Sequence, residues 1–119
     1  MPRALLVTDS EWVINHVRAV LGLGDWFVEV LTKPHEVVAT IDDVAPDVAV
    51  IDLQIGSMGG MAVVREIRSV FDHDDRPRLV PLLDRTTDSF LAKRAGADAW
   101  VVKPFDAHDL RVALEGVVA

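Results

Sequence analysis

The chain has 119 residues, with 12 Lys and Arg against 19 Asp and Glu, a formal charge of −7, and no cysteine. That length is one domain, able to bury roughly two-thirds of its surface without staples, and the missing cysteines exclude disulfides, thiolate zinc sites, iron–sulfur clusters and a cysteine nucleophile. The negative charge argues against direct contact with nucleic acid or anionic lipid, and no run approaches the roughly 18 apolar residues of a membrane span.

The opening run Ala4 to Val7 is too short for a signal peptide and meets Asp9 at once, so a cytoplasmic protein is expected. Ala4 to Val7 reads as a first strand, and Val13, Val17, Val20 and Leu21 then share one helical face. Gly22 and Gly24 suit the end of that helix before a second strand, Phe27 to Leu31. Pro34 suits the first turn of a second helix, whose apolar face holds Val37 or Val38, Ile41 and Val44. A third strand, Val48 to Ile51, precedes a helix with Val63 or Val64, Ile67 and Phe71 on one face. The polar run Asp72 to Arg76 reads as a solvated loop. Leu79 to Leu83 reads as a fourth strand, in which Pro81 removes a ladder donor and predicts a bulge or local irregularity. Phe90, Leu91 and Arg94 belong to a fourth helix, and Ala99 to Val102 form a fifth strand. Leu110, Ala113, Leu114 and Val117 line a last helix that Asp106 caps, with Asp109 near its third position. Short Val-, Leu- and Ile-rich runs alternating with helices predict a parallel α/β sheet of the (βα)5 kind, covered on both faces, in one domain spanning 1–119.

In such a sheet ligands bind beyond the carboxyl ends of the strands. Asp9 follows the first strand, Asp52 ends the third, Asp84 follows the fourth and Lys103 follows the fifth. Four charges are therefore expected to converge at one end. A lone Asp there is ordinarily a turn or cap residue; the recurrence is what points to a site. His16, His35, His73 and His108 show no metal-ligand spacing and read as surface residues. The glycines offer neither a dinucleotide fingerprint nor a phosphate loop.

Three stretches, in order and spanning essentially the whole chain, resemble the receiver domains of bacterial two-component response regulators. They are Leu5-Leu6-Val7-Thr8-Asp9, Pro46 through Ile55 followed by Gly60, and Gly96 through Phe105 with Trp100 three residues before Lys103. The resemblance implies a doubly wound, flavodoxin-like fold with strand order 2-1-3-4-5, and the length of 119 residues leads us to expect a stand-alone protein without an output domain. It implies Asp52 as phosphoacceptor, Asp9, Asp52 and the backbone carbonyl of Gln54 as Mg²⁺ ligands, Lys103 as the cation meeting the phosphoryl group, and a cis bond before Pro104. A carboxylate attacking phosphorus forms an acyl phosphate and needs positive charge on the transferring oxygens. Magnesium, content with one or two carboxylates and several waters, suits that set; binding is expected to be weak.

Departures from the family pattern fall around the same site. Thr8 stands where a second acidic residue is usual, Gly56 replaces a proline, and Gly59 replaces Asp or Asn before Gly60, predicting a looser loop. The Ser or Thr that ends the family's fourth strand is missing: Asp84 and Arg85 occupy that region, and Thr86 and Thr87 are the nearest substitutes. An Asp84 carboxylate about 7 Å from Asp52 would cost roughly 2 kcal/mol at an effective dielectric of 20, which Mg²⁺, Lys103 or Arg85 folded over the site would offset.

Two functions follow from the resemblance. In one, a histidine kinase or phosphotransfer protein phosphorylates Asp52, and the phosphorelay signal passes to a partner or a second copy through the face of helix 4, strand 5 and helix 5. In the other, an atypical receiver binds a partner irrespective of phosphate. Trp100 is either packed at the sheet end or an anchor on that partner face, and Trp12, one turn beyond Asp9, is either a reporter on the metal site or core. An enzyme is not expected: aspartyl-phosphate hydrolases carry a second Asp two residues after the nucleophile, where this chain has Gln54.

Overall fold

A computed structural model describes residues 2–22, 26–56 and 59–118; Gly24, expected near the end of the first helix, lies outside them. The elements are β1 (Arg3–Val7), α1 (Glu11–Gly22), β2 (Phe27–Leu31), a 3-10 turn (Pro34–Glu36) running into α2 (Val37–Val44), β3 (Val48–Asp52), α3 (Gly60–Val70), β4 (Arg78–Leu83), a second 3-10 turn (Thr86–Asp88) running into α4 (Ser89–Ala95), β5 (Val101–Val102) and α5 (Ala107–Val118). The five strands are parallel in the order β2-β1-β3-β4-β5, as expected. None of the described helices is long and apolar enough to cross a membrane.

Strand periodicity divides the core into two. Alternate side chains point to opposite faces, so Ala4 and Leu6, Val48 and Val50, Val80 and Leu82, and Val101 pack beneath α1 and α5 with Val13, Val17, Leu110 and Leu114. The intervening Leu5, Val7, Ala49, Ile51 and Leu79 pack against Val37, Ile41, Val63, Val64 and Ile67 of α2 and α3. Burial of each such Leu, Ile or Val contributes about 1.5–3 kcal/mol, and the two layers together lock the register of the strands. Asp106 Oδ1 accepts from the Asp109 N–H at 2.8 Å, the cap expected for α5.

Pro81 produces no bulge: β4 pairs continuously with β3, Pro81 opposite Ile51. Along a parallel strand the N–H and C=O of successive residues face opposite neighbours. Leu79 and Leu83 accept from β5-side residues and Leu82 from Leu53, so the missing Pro81 donor faces β5. The irregularity falls there instead, and β5 is Val101–Val102 rather than the expected 99–102.

Two further expectations are corrected. The loop before β4 is not wholly solvated, because the Arg76 side chain is only 3% exposed and its Nη1 meets Asp98 Oδ2 at 2.8 Å. Asp98 also accepts from the Leu79 N–H at 2.8 Å, so one carboxylate neutralises a buried cation and ties the start of β4 to the approach to β5. His16 is not a free surface residue: Nε2 lies 2.8 Å from the carbonyl oxygen of Phe105, and the ring stacks on Trp12 with centroids 5.2 Å apart.

Candidate functional site

Strand alternation puts the site on one face. Thr8 follows the row Ala4–Leu6, Asp52 the row Val48–Val50, Asp84 the row Val80–Leu82, and Lys103 follows Val101. Register aligns them: Val7 pairs with Ile51, so Thr8 and Asp52 come next to one another, and Leu83 pairs with Val102, so Asp84 and Lys103 do the same. Each is the first polar side chain where its apolar row ends. The geometry of the sheet thus gathers four polar groups above the α1/α5 core.

Asp52 is buried, 1% exposed, and both carboxylate oxygens are engaged. Oδ1 accepts from Lys103 Nζ at 2.5 Å and from the Gln54 N–H at 3.1 Å. Oδ2 accepts from Thr8 Oγ1 at 2.7 Å, and the same hydroxyl accepts from the Ser10 N–H at 3.1 Å. Lys103 Nζ also stands 3.2 Å from Asp84 Oδ1. Burial works against the Lys103 charge, but the hydrogen bond and charge of Asp52, followed by those of Asp84, outweigh it and hold the ammonium above its ordinary value. Removing either partner of such a buried pair strands the other charge, at a cost of about 3–5 kcal/mol.

The remaining expected residues divide. Asp9 is exposed and does not join the carboxylate–ammonium cluster; its Oδ2 accepts from the Gly56 N–H at 3.1 Å, linking the β1 loop to the loop after β3. Arg85 does not fold over the site. Its Nη2 pairs with Asp88 Oδ1 at 3.3 Å, and its N–H donates to Asp88 Oδ2, because Asp88 closes the turn into α4. Thr86 and Thr87 are exposed on that turn, so neither supplies the missing hydroxyl, and the last β4 residue is the buried Leu83. The peptide bond between Lys103 and Pro104 is cis, as expected. Gly60 opens α3 hard against the site: a Cβ there would lie 2.5 Å from the carbonyl oxygen of Asp52, so only glycine permits this approach. Gly56 and Gly59 have φ of +50° and +80°, a region that favours glycine.

Trp100 is 36% exposed, immediately before β5. Phe90 and Leu91 on α4 and Val112 on α5 are also exposed, while Ala92 and Ala95 form the buried side of α4. Trp12 is 51% exposed, so it is not core; with His16 it packs against the Phe105 ring.

The donor set suits a hard divalent cation. Asp9, Asp52 and the Gln54 carbonyl are all oxygen donors, Asp9 and Gln54 are exposed, and the Asp9–Gly56 bond keeps their two loops together. Mg²⁺ accepts one or two carboxylates while keeping several waters. Among the described residues no group of three or more His, Cys, Asp or Glu gathers to make a fuller cage.

Comparison with known proteins follows the same lines. A family model described as "Response regulator receiver domain" matches residues 4–115. The transcriptional regulatory protein TrcR of Mycobacterium tuberculosis is 31% identical over 116 residues, covering 98% of this chain and 45% of that protein. The two-component response regulator PhoP of Pseudomonas aeruginosa is 29% identical over 121 residues, covering 98% of this chain and 51% of that protein. The chain spans about half the length of these curated relatives. Among solved structures, the chemotaxis response regulator CheY4 of Vibrio cholerae superposes with a TM-score of 0.86 at 27% identity, covering 98% of each chain.

Proposed function

The chain belongs to the response regulator receiver domain family, and from that premise we propose that it accepts a phosphoryl group on Asp52 from a histidine kinase or phosphotransfer protein and signals through a changed protein-binding face. Receiver domains are signalling modules of two-component systems, generally not enzymes, and this reading keeps the chain in that class. The observation that carries it is the buried Asp52 carboxylate at the end of β3, held by Lys103 Nζ at 2.5 Å on one oxygen and by Thr8 on the other.

An Asp52 oxygen attacks phosphorus in line; the new bond to oxygen forms as the bond from phosphorus to the donor breaks, and the donor keeps the electron pair. Lys103 offsets charge on the transferring oxygens from a position already fixed by Asp52. Thr8 and the Gln54 N–H keep the carboxylate from rotating. Asp9, Asp52 and the Gln54 carbonyl would hold Mg²⁺, whose charge adds to that of Lys103 on the phosphoryl oxygens. Trp100, Phe90, Leu91 and Val112 give the α4–β5–α5 face exposed apolar anchors for a downstream protein or a second copy.

A second reading, a partner-binding module indifferent to phosphate, is favoured by one observation: with Asp84 on Lys103 and Thr8 on Asp52, every charge in the cluster already has a partner. The chemistry of a label separates the two. After incubation with Mg²⁺ and labelled acetyl phosphate, hydroxylamine, which cleaves mixed anhydrides, is expected to release the label, and Asp52→Asn is expected to take up none. Label that resists hydroxylamine, or that persists in Asp52→Asn, contradicts the phosphoacceptor role.

A further inference from the structure

Lys103 Nζ lies 2.5 Å from Asp52 Oδ1 and 3.2 Å from Asp84 Oδ1, so one ammonium serves two carboxylates. Among the described residues neither carboxylate has another Lys or Arg partner, since Arg85 is turned away to Asp88. Phosphorylation of Asp52, the reading on which this inference rests, replaces a single carboxylate charge by roughly two on phosphoryl oxygens. The cation that must meet them is already shared.

We propose that Asp84 is a positioning residue that competes for Lys103: its carboxylate holds the ammonium in the unphosphorylated protein and is expelled from it when Asp52 carries a phosphoryl group, moving the turn into α4. During the transfer an Asp52 oxygen bonds phosphorus while the donor leaves with the electron pair of the broken bond. Lys103 then exchanges its N–H bond to Asp84 for one to a phosphoryl oxygen, with no proton gained or lost. Asp84 has somewhere to go, being half-buried at the rim rather than packed in the core.

The displacement has a path. Arg85 follows directly, and its N–H and guanidinium are both fixed to the buried Asp88, at 3.1 and 3.3 Å, while the Asp88 N–H returns to the Arg85 carbonyl at 3.0 Å. Residues 85–88 therefore move as one closed turn. Ser89 begins α4 at once, carrying the exposed Phe90 and Leu91. Repulsion between two anions for one cation is thus converted into a shift of the surface that a partner reads.

Wild type, Asp84→Asn and Asp84→Glu are compared with Mg²⁺ and acetyl phosphate, following uptake by mass and the backbone amides of Phe90 and Leu91 by NMR, with thermal melts showing that each variant is folded. Asp84→Asn, which removes the charge but keeps the shape, is expected to take up phosphoryl about tenfold faster. Without acetyl phosphate, its Phe90 and Leu91 amides are expected already displaced toward the positions of the phosphorylated wild type. Asp84→Glu restores the charge and is expected to be slow. Uptake that depends on Asp52 but proceeds at the wild-type rate in Asp84→Asn, with both amides unmoved, overturns this inference alone. No uptake in any of the three overturns the phosphoacceptor reading and this inference with it.

Discussion

Thr8 illustrates what a single position settles at this site. Its hydroxyl lies 2.7 Å from the second oxygen of Asp52, so the place where the family usually carries an acid supplies a donor instead. A neutral donor occupies one Asp52 oxygen with a hydrogen bond, whereas a second carboxylate would add a metal ligand. The convergence of Asp52, Asp84 and Lys103 was legible in the sequence, because each ends an apolar strand row of fixed parity; at the first strand Thr8 takes the place where Asp9 was expected. Asp9, one residue past Thr8, falls off that parity and joins the loop after β3 through Gly56. Arg76 and His16 were not legible. Nothing local marks an Arg at the end of an acidic loop as buried, and its partner Asp98 is distant in sequence. Asp98 also gives a pH test. Burial raises its carboxyl, but the Arg76 hydrogen bond, the Leu79 N–H and the charges of Arg76 and Arg78 outweigh that and hold it below its ordinary value of 3.8. A lowered folded-state value means a contribution to stability that is present above pH 3.8 and lost as pH falls below it toward that lowered value. Asp98→Asn is expected to be less stable than wild type by about 3 kcal/mol near neutral pH, the gap narrowing through that acid window. Urea titrations at both ends check it, and a gap independent of pH contradicts it.

Among the elements, β5 shows how one residue edits its neighbour. Asp98 and Ala99 donate to the Leu79 carbonyl and Lys103 donates to the Leu83 carbonyl, so the β4–β5 ladder is intact on either side of the place where Pro81 has no N–H. The sequence signalled a disturbance at Pro81, but propensity alone does not say which of two neighbouring strands bears it; the direction of the missing donor does. Pro81→Val supplies that donor at similar volume. It is expected to extend β5 back toward Ala99, adding about 0.5–1.5 kcal/mol and slowing exchange of the residue 81 amide. A fast-exchanging amide and unchanged stability contradict the assignment. In α4 the two alanines face the core, and the larger Phe90 and Leu91 face outward, the reverse of an ordinary amphipathic helix. That inversion was hidden in a seven-residue segment too short for a periodicity to be decisive.

Over the whole molecule, the two core layers hold the sheet while its carboxyl end carries the charges and its β5 side carries exposed apolar groups. Fold class and strand order were readable from the alternation of runs and helices together with the family resemblance, because both depend on pattern rather than on single contacts. The α4–β5–α5 face was readable only as a place, and the exposure of Trp100 on it came from the structure. Trp100→Ala is expected to weaken association of the phosphorylated chain with a downstream protein or a second copy by tenfold or more, the scale of an aromatic anchor, while leaving phosphoryl uptake unchanged. Sedimentation with and without acetyl phosphate measures self-association, and association insensitive to Trp100 removes it from the interface.

The most direct measurement is intact mass after rapid quenching of the protein with Mg²⁺ and acetyl phosphate, Asp52→Asn alongside. One added phosphoryl group in the wild type and none in the variant is the predicted result. An unmodified wild type, or equal addition to both proteins, contradicts Asp52 as the phosphoacceptor.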